Sequence, residues 1–252
     1  MTLIPRGLIV SCQAAEGEPL FGAPIMAAMA RAAEIGGAVA IRANGPEDIA
    51  AIRQAVRLPV IGLWKLRSPD SAVYITPHRA AAEAIARAGC DVIAVDATPR
   101  PRPGGATLDD LIPFIRNVLG KPVMADCACL EDALLAEALG ADYIGTTLAG
   151  YTWPHGRPMT DGPDLAFVAE LAGRLTKPII AEGRFYLPEQ VAHALALGAH
   201  AVCIGGAITR PQDITRRFVV AGVGSVNGVG GVNSVSSVSG VGSVTANDTN
   251  DT

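Results

Sequence analysis

Three lysines serve 252 residues, and their placement is uneven. Lys121 and Lys177 each stand before a proline that opens an apolar run ("KPVM", "KPII"), whereas Lys65 closes one ("PVIGLWK"). If those runs are parallel strands, Lys65 lies at the opposite end of the sheet from the other two. Further side chains able to move protons or hold an anion fall at the same kind of place. They are Gln13 after "GLIVSC", Arg42 in "AIRAN", Asp96 in "VIAVD", Asp126 in "PVMAD", Thr146 and Thr147 in "YIGTT", and Glu182 with Arg184 in "IIAEGR". The last run passes into "IGGAITRP", where the amides of Gly205 and Gly206, a helix start and Arg210 suit a phosphate. A lysine, carboxylates and an arginine around an anion site suit proton transfer beside a carbonyl, and equally Schiff-base chemistry.

The elements that must position these groups are legible as a repeat. Apolar runs at 7–13, 38–43, 59–64, 92–97, 122–126, 143–148, 178–182 and 201–205 are near-continuous, as expected of parallel strands covered on both faces. Between them lie stretches with apolar residues three and four apart, such as "PIMAAMARAAEIG" and "PEDIAAIRQAV". Pro46 and Pro188 fit first helical turns; Gly36, Gly89, Gly140 and Gly198 fit helix ends. Eight such pairs within residues 1–221 predict a single-domain (β/α)₈ TIM barrel, whose chemistry sits at the C-terminal ends of the strands. No G-x-G-x-x-G follows the first strand, which speaks against an open dinucleotide-binding sheet.

Within this frame some residues carry two readings. Asp96 is either a substrate contact or half of a structural ion pair, and Arg42 either touches substrate or neutralises an acid in the mouth. Thr146 and Thr147 are either barrel filling or site residues. The segment "SPDSAVYITPHR" (68–79) exceeds an ordinary βα connection and predicts a lid or an added short strand over the third strand's end. His78 at its end, and His155 after the sixth strand, are possible neighbours of a substrate, whereas His193 and His200 fall outside the mouth. Residues 222–252 repeat valine at every third position among Gly, Ser and Asn, with no lysine, arginine or aromatic. That period matches neither helix nor strand, so a disordered tail is expected.

Composition narrows the partners. A formal net charge of -4 offers no basic surface for nucleic acid or an acidic membrane. The N-terminus shows no cleavage signal and no run reaches membrane-spanning length, so a cytoplasmic protein is expected. Five cysteines argue against a disulfide framework, and Cys127 with Cys129 lack the further ligands of a metal site.

Taken in order, "GLIVSCQA", "AIRANG", "PVIGLWK", "VYITP", "VIAVDATPRPRP", "PVMAD", "IGTTLAGYT", "IAEGR" and "IGGAITRP" resemble the successive motifs of bacterial N-acetylmannosamine-6-phosphate 2-epimerases. The resemblance spans residues 5–221 and omits the valine-rich tail. It implies a (β/α)₈ barrel that interconverts N-acetylmannosamine 6-phosphate and N-acetylglucosamine 6-phosphate in sialic acid breakdown. It also implies no metal or organic cofactor, and an oligomer of identical chains, such as a dimer. Lys65 matches the family's catalytic lysine and Glu182 its acidic partner. Gln13, Arg42 and Asp126 match supporting residues, with Thr147 beside them as a substrate contact. Gly183, Arg184, Gly205, Gly206 and Arg210 match the phosphate turn. Two departures stand out: "CAC" after Asp126 where Ser-Thr is usual, and His78 where threonine is common.

The implied reaction sets its own demands. Inversion at C2 removes a proton beside a carbonyl and returns one to the other face, so the sugar ring must open and a base must stand on each side. Lys65 must be neutral to accept a proton, and burial with Arg42 and Arg184 nearby is expected to lower its pKa toward working pH. The rivals are a Schiff-base aldolase or lyase with Lys65 as nucleophile, and a sugar-phosphate sensor without catalysis.

Overall fold

Eight short strands run parallel and pair in chain order until the last closes on the first. They are β1 (Gly7–Cys12), β2 (Ala40–Asn44), β3 (Val60–Leu63), β4 (Val92–Asp96), β5 (Val123–Asp126), β6 (Tyr143–Gly145), β7 (Ile179–Glu182) and β8 (Ala201–Ile204). A computed structural model describes residues 2–152, 156–158 and 161–222. The surrounding helices are α1 (Ala23–Ile35), α2 (Pro46–Ala55), α3 (Arg79–Arg87), α4 (Leu108–Pro113), α5 (Leu130–Ala138), α6 (Leu165–Arg174) and α7 (Pro188–Ala196). The short α8 (Gly206–Thr209) and then α9 (Pro211–Gly222) follow β8. This is the expected (β/α)₈ barrel. Residues 1–214 form one compact unit, and Thr215 begins a second. The expected tail lies, apart from Gly222, outside the described residues. No helix among them is long and apolar enough to cross a membrane.

Strand alternation explains why the runs are apolar throughout. Ile9, Ala40, Ile61, Ala94, Met124, Ile180 and Ala201 point inward and fill the barrel. Their neighbours Val10, Ile41, Val60, Ile93, Val123 and Ile144 point outward against the helices. The next inward positions toward the C-terminal ends are polar: Arg42 pairs in register with Ile61 and Ser11, Asp126 with Asp96 and Gly145, and Glu182 with Cys203. Gly145 belongs to this layer because a Cβ there would stand 2.7 Å from Met124 Cε and 3.2 Å from Asp126 Oδ1.

Several strands end earlier than their apolar runs. β3 stops at Leu63 and β6 at Gly145, so Trp64, Lys65 and residues 146–148 belong to the connections. After β6 the chain turns at once, with Ala149 N–H donating to Thr146 O (3.1 Å). After β3 it forms a bridged hairpin where a lid or an added short strand was expected. Lys65 bridges Ile75 and Ser68 bridges Ser71 in antiparallel fashion, and Leu66 N–H donates to Tyr74 O (2.9 Å). This hairpin delivers Tyr74 and Ile75 to the barrel mouth. His78 is a helix cap and not a substrate neighbour: its Nδ1 accepts the N–H of Ala81 (3.2 Å) at the start of α3. The cap starts an alanine-rich helix that buries Ala81, Ala82 and Ile85 at spacings of one, three and four. His200 Nε2 meets Ile4 O (2.8 Å) at the opposite end of the barrel, and His155 lies outside the described residues.

Candidate active site

A cavity of about 220 Å³ opens at the C-terminal ends of the strands. Gln13, Arg42, Lys65, Thr147, Glu182, Gly183, Gly205, Gly206 and Arg210 all line it, joined by Ser11, Tyr74, Ile75, Leu148, Tyr151 and Thr209. A wider cleft of about 820 Å³ runs along the outside past Cys129, Arg157 and Glu170. None of the expected site residues lines it, so those residues gather at the smaller cavity.

Arg42 organises the floor. It is 2 % exposed and lies between Asp126, with Nη2–Oδ2 at 2.5 Å, and Glu182, which pairs with Nη1. Burial works against its charge, but the two carboxylates outweigh burial and hold its pKa above the ordinary value. Asp126 is fully buried; burial pushes its carboxyl up to about 6 against the pull of Arg42. It does not line the cavity but supports Arg42 from beneath. Thr147 Oγ1 lies 2.6 Å from Asp126 Oδ1 and 3.2 Å from Glu182 Oε2, so its single proton serves one carboxylate at a time. Thr146 fixes the backbone of Glu182, accepting its N–H (2.9 Å) and donating to its carbonyl (2.8 Å). Thus Arg42 does neutralise acids, as one reading had it, and it also faces the cavity.

Lys65 stands across the barrel from Glu182, since β3 and β7 are four strands apart in a ring of eight. Its backbone is pinned by the bridge to Ile75 and by donation to Asn44 Oδ1 (2.8 Å). The side chain is open to the water of the cavity, yet so deep within the mouth that burial, with Arg42 and Arg210 nearby, lowers its pKa to about 8 against the pull of Glu182. Lys65 forms no ion pair among the described residues. Burial and Arg42 act as expected, but the second cation is Arg210, not Arg184.

Arg184 is the one expected phosphate residue that the structure places away from the cavity lining. It is 5 % exposed, and its guanidinium donates to the carbonyls of Ala149 (3.0 Å) and Gly150 (2.8 Å) on the connection after β6. The physical reason is its backbone, which leaves β7 in the left-handed region (φ 58°) and turns the side chain outward. Arg210 faces the cavity and pairs with Glu18 at 3.3 Å. Gln13 Nε2 donates to Ser11 Oγ (2.9 Å), leaving its buried Oε1 without a partner among the described residues. Asp96 resolves to the ion-pair reading: it accepts from Thr98 (2.6 Å) and Arg100 (2.6 Å) and has no exposure. Cys127 is buried with Sγ near Ala125 O (3.4 Å). Among the described residues no group of three or more His, Cys, Asp or Glu is arranged around a metal position.

The sequence pattern described as "Putative N-acetylmannosamine-6-phosphate epimerase" matches residues 26–223. A protein of Caldanaerobacter subterraneus subsp. tengcongensis with the corresponding 2-epimerase name is 52 % identical over 217 residues, 86 % of this chain and 91 % of its own. One of the same name from Cutibacterium acnes is 48 % identical over 214 residues, covering 84 % and 92 %. The solved N-acetylmannosamine-6-phosphate 2-epimerase from Clostridium perfringens superposes with a TM-score of 0.84 at 43 % identity, covering 87 % of this chain and 94 % of that one.

Proposed function

Because this chain belongs to the N-acetylmannosamine-6-phosphate epimerase family, we propose that it interconverts N-acetylmannosamine 6-phosphate and N-acetylglucosamine 6-phosphate through proton transfer by Lys65 and Glu182. The observation that supports these roles is their position on opposite sides of one cavity, with Arg42 between them. The closed sugar ring has no carbonyl beside C2, so its C2 hydrogen is not acidic. Ring opening creates the aldehyde, and removal of the C2 proton then leaves an enolate with charge on O1. Arg42, held charged, is the donor for that oxygen; one well-placed donor is typically worth about 3 kcal/mol. Asp126 acts by holding Arg42, and Thr147 by steadying the carboxylates. The free Oε1 of Gln13 accepts from a substrate hydroxyl or amide. The phosphate is assigned to Gly183, Gly205, Gly206 and Arg210, remote from C2, where it supplies orientation. A role in sialic acid breakdown fits this family, and a cytoplasmic location and a dimer of identical chains belong to the same proposal. No observation favours the Schiff-base lyase over this reaction.

Proton accounting makes the proposal testable through pH. The group that takes the proton must be bare and the group that returns one must be loaded, so Lys65 and Glu182 together must carry one proton. Ammonium with carboxylate serves one direction, and neutral amine with carboxylic acid serves the other. As pH rises through about 8, Lys65 loses its proton and the pair holds none. In both directions kcat/KM should therefore fall, by about tenfold for each further pH unit. A profile that instead rises through that region would assign both faces to neutral Lys65 and leave Glu182 with no proton to carry.

A further inference from the structure

We propose that Arg184 is a positioning residue that acts through Tyr151, locking the connection after β6 so that the tyrosine ring walls the cavity, and that it is not a phosphate ligand. Its effect on turnover rests on the epimerase assignment above.

Both sides of this contact are built for it. Arg184 is one of two non-glycine residues with positive φ (58°) among the described residues, a strained conformation that its surroundings must hold in place. Its Nη1 and Nη2 are spent on the carbonyls of Ala149 (3.0 Å) and Gly150 (2.8 Å), with Arg157 O at 3.4 Å. On the receiving side, Gly150 has φ +74°, and a Cβ there would stand 2.6 Å from Arg184 Nη2. Any larger residue there would have to displace the guanidinium from this position. The Tyr151 ring then lies 4.3 Å from the guanidinium carbon, within cation–π range. Tyr151 lines the cavity, whereas Arg184 does not. The ring also lies against the strand end, since a Cβ on Gly183 would meet Tyr151 Cε2 at 3.5 Å.

The ring therefore stands beside Gly183 in the cavity wall, where it confines an opened sugar chain that could otherwise swing away from Lys65 and Glu182. Confinement of that chain is an orientation effect and should appear in kcat. Arg184 keeps one unpartnered buried donor, Nε. If that donor served the phosphate, removal of Arg184 would weaken anion binding as removal of Arg210 does.

Arg184→Gln, Tyr151→Ala and the double variant separate these outcomes. Each single change is expected to lower kcat about tenfold, and the double to lower it no more than about twofold further, because both remove one coupled device. Inorganic phosphate, used as a competitive inhibitor, should bind Arg184→Gln within about threefold of the unsubstituted protein, but Arg210→Gln at least about tenfold more weakly. A multiplicative loss in the double variant, or phosphate affinity lost in Arg184→Gln as in Arg210→Gln, overturns the proposal. Hydrogen exchange decides independently of turnover. The amide of Arg157 bonds Gly150 O (2.9 Å) and that of Tyr151 bonds Leu148 O (3.0 Å). Both should exchange at least about tenfold faster in Arg184→Gln, and unchanged protection refutes the latch even if the epimerase assignment fails. Should Arg184→Gln not fold, Gly150→Ala presses on the same contact and should lower kcat to the same degree; an unaffected kcat would overturn the proposal.

Discussion

Replacement of Lys65 by alanine should end epimerisation while the phosphate ester still binds. In the proposed mechanism Lys65 carries a proton on one face of C2, and a positioned acid–base group typically supplies about 10²–10⁴-fold in rate. The loss should fall in kcat. Affinity for the substrate phosphate should change by less than about tenfold, or 1.4 kcal/mol, because the residues assigned to it, Gly205, Gly206 and Arg210, are untouched. Glu182 remains on the opposite face, so only the epimer whose C2 hydrogen faces that carboxylate can still exchange with solvent. Steady-state kinetics together with C2 exchange of each epimer checks this. Turnover like that of the unsubstituted protein would end the assignment of Lys65.

The second large effect is on stability. Arg42→Met preserves much of the side-chain volume but removes the cation shared by Asp126 and Glu182. Arg42 is 2 % exposed and Asp126 has no exposure, so a buried charge would be left without its partner. Breaking such a pair costs about 3–5 kcal/mol, which corresponds to a fall in Tm of about 6–20 °C for a chain of this size. The sign with pH also follows. Without the guanidinium the Asp126 carboxyl moves further up from its value of about 6, and the neutral acid is cheaper to bury than the anion. The deficit should therefore be larger at about pH 8 than at about pH 5, where the carboxyl can protonate. Thermal unfolding at the two pH values measures it. Activity should be lost as well, since the donor proposed for the enolate oxygen is gone.

Much of this architecture was written in the chain's periodicity. Strands covered on both faces must be apolar throughout, so eight such runs with helical spacing between them left few folds to consider. A charged residue within such a run must have a paired environment, and that made Arg42, Asp126 and Glu182 conspicuous. Lys65 was legible for the same reason, because its run places it at the mouth. What was not legible is direction. Arg184 follows a strand end as Glu182 does, but its left-handed backbone sends it outward to carbonyls that no pairwise pattern names. Gly150 and Gly183 were the available signals, and glycines alone do not say which side chain comes close. Asp96 and Asp126 occupy equivalent strand ends, paired in register, yet only Asp126 joins the site. The difference lies in the following "ATPR", which supplies Asp96 with Thr98 and Arg100. His78 precedes an alanine-rich helix and caps it, a role not assigned to it from the sequence. Tyr74 and Tyr151 reach the cavity from connections, where sequence fixes neither path nor exposure.

The central claim is that one group removes the C2 hydrogen and another, across the cavity, returns a different one. Its most direct test is proton NMR of N-acetylmannosamine 6-phosphate with the protein in heavy water. Whichever of Lys65 and Glu182 returns the proton exchanges with solvent at the cavity mouth and will carry deuterium. Each molecule of N-acetylglucosamine 6-phosphate formed should then bear deuterium at C2, while unreacted substrate keeps its hydrogen early in the reaction. Product that retains the substrate's own hydrogen, or substrate and product that label at equal rates from the start, would contradict two groups acting on opposite faces.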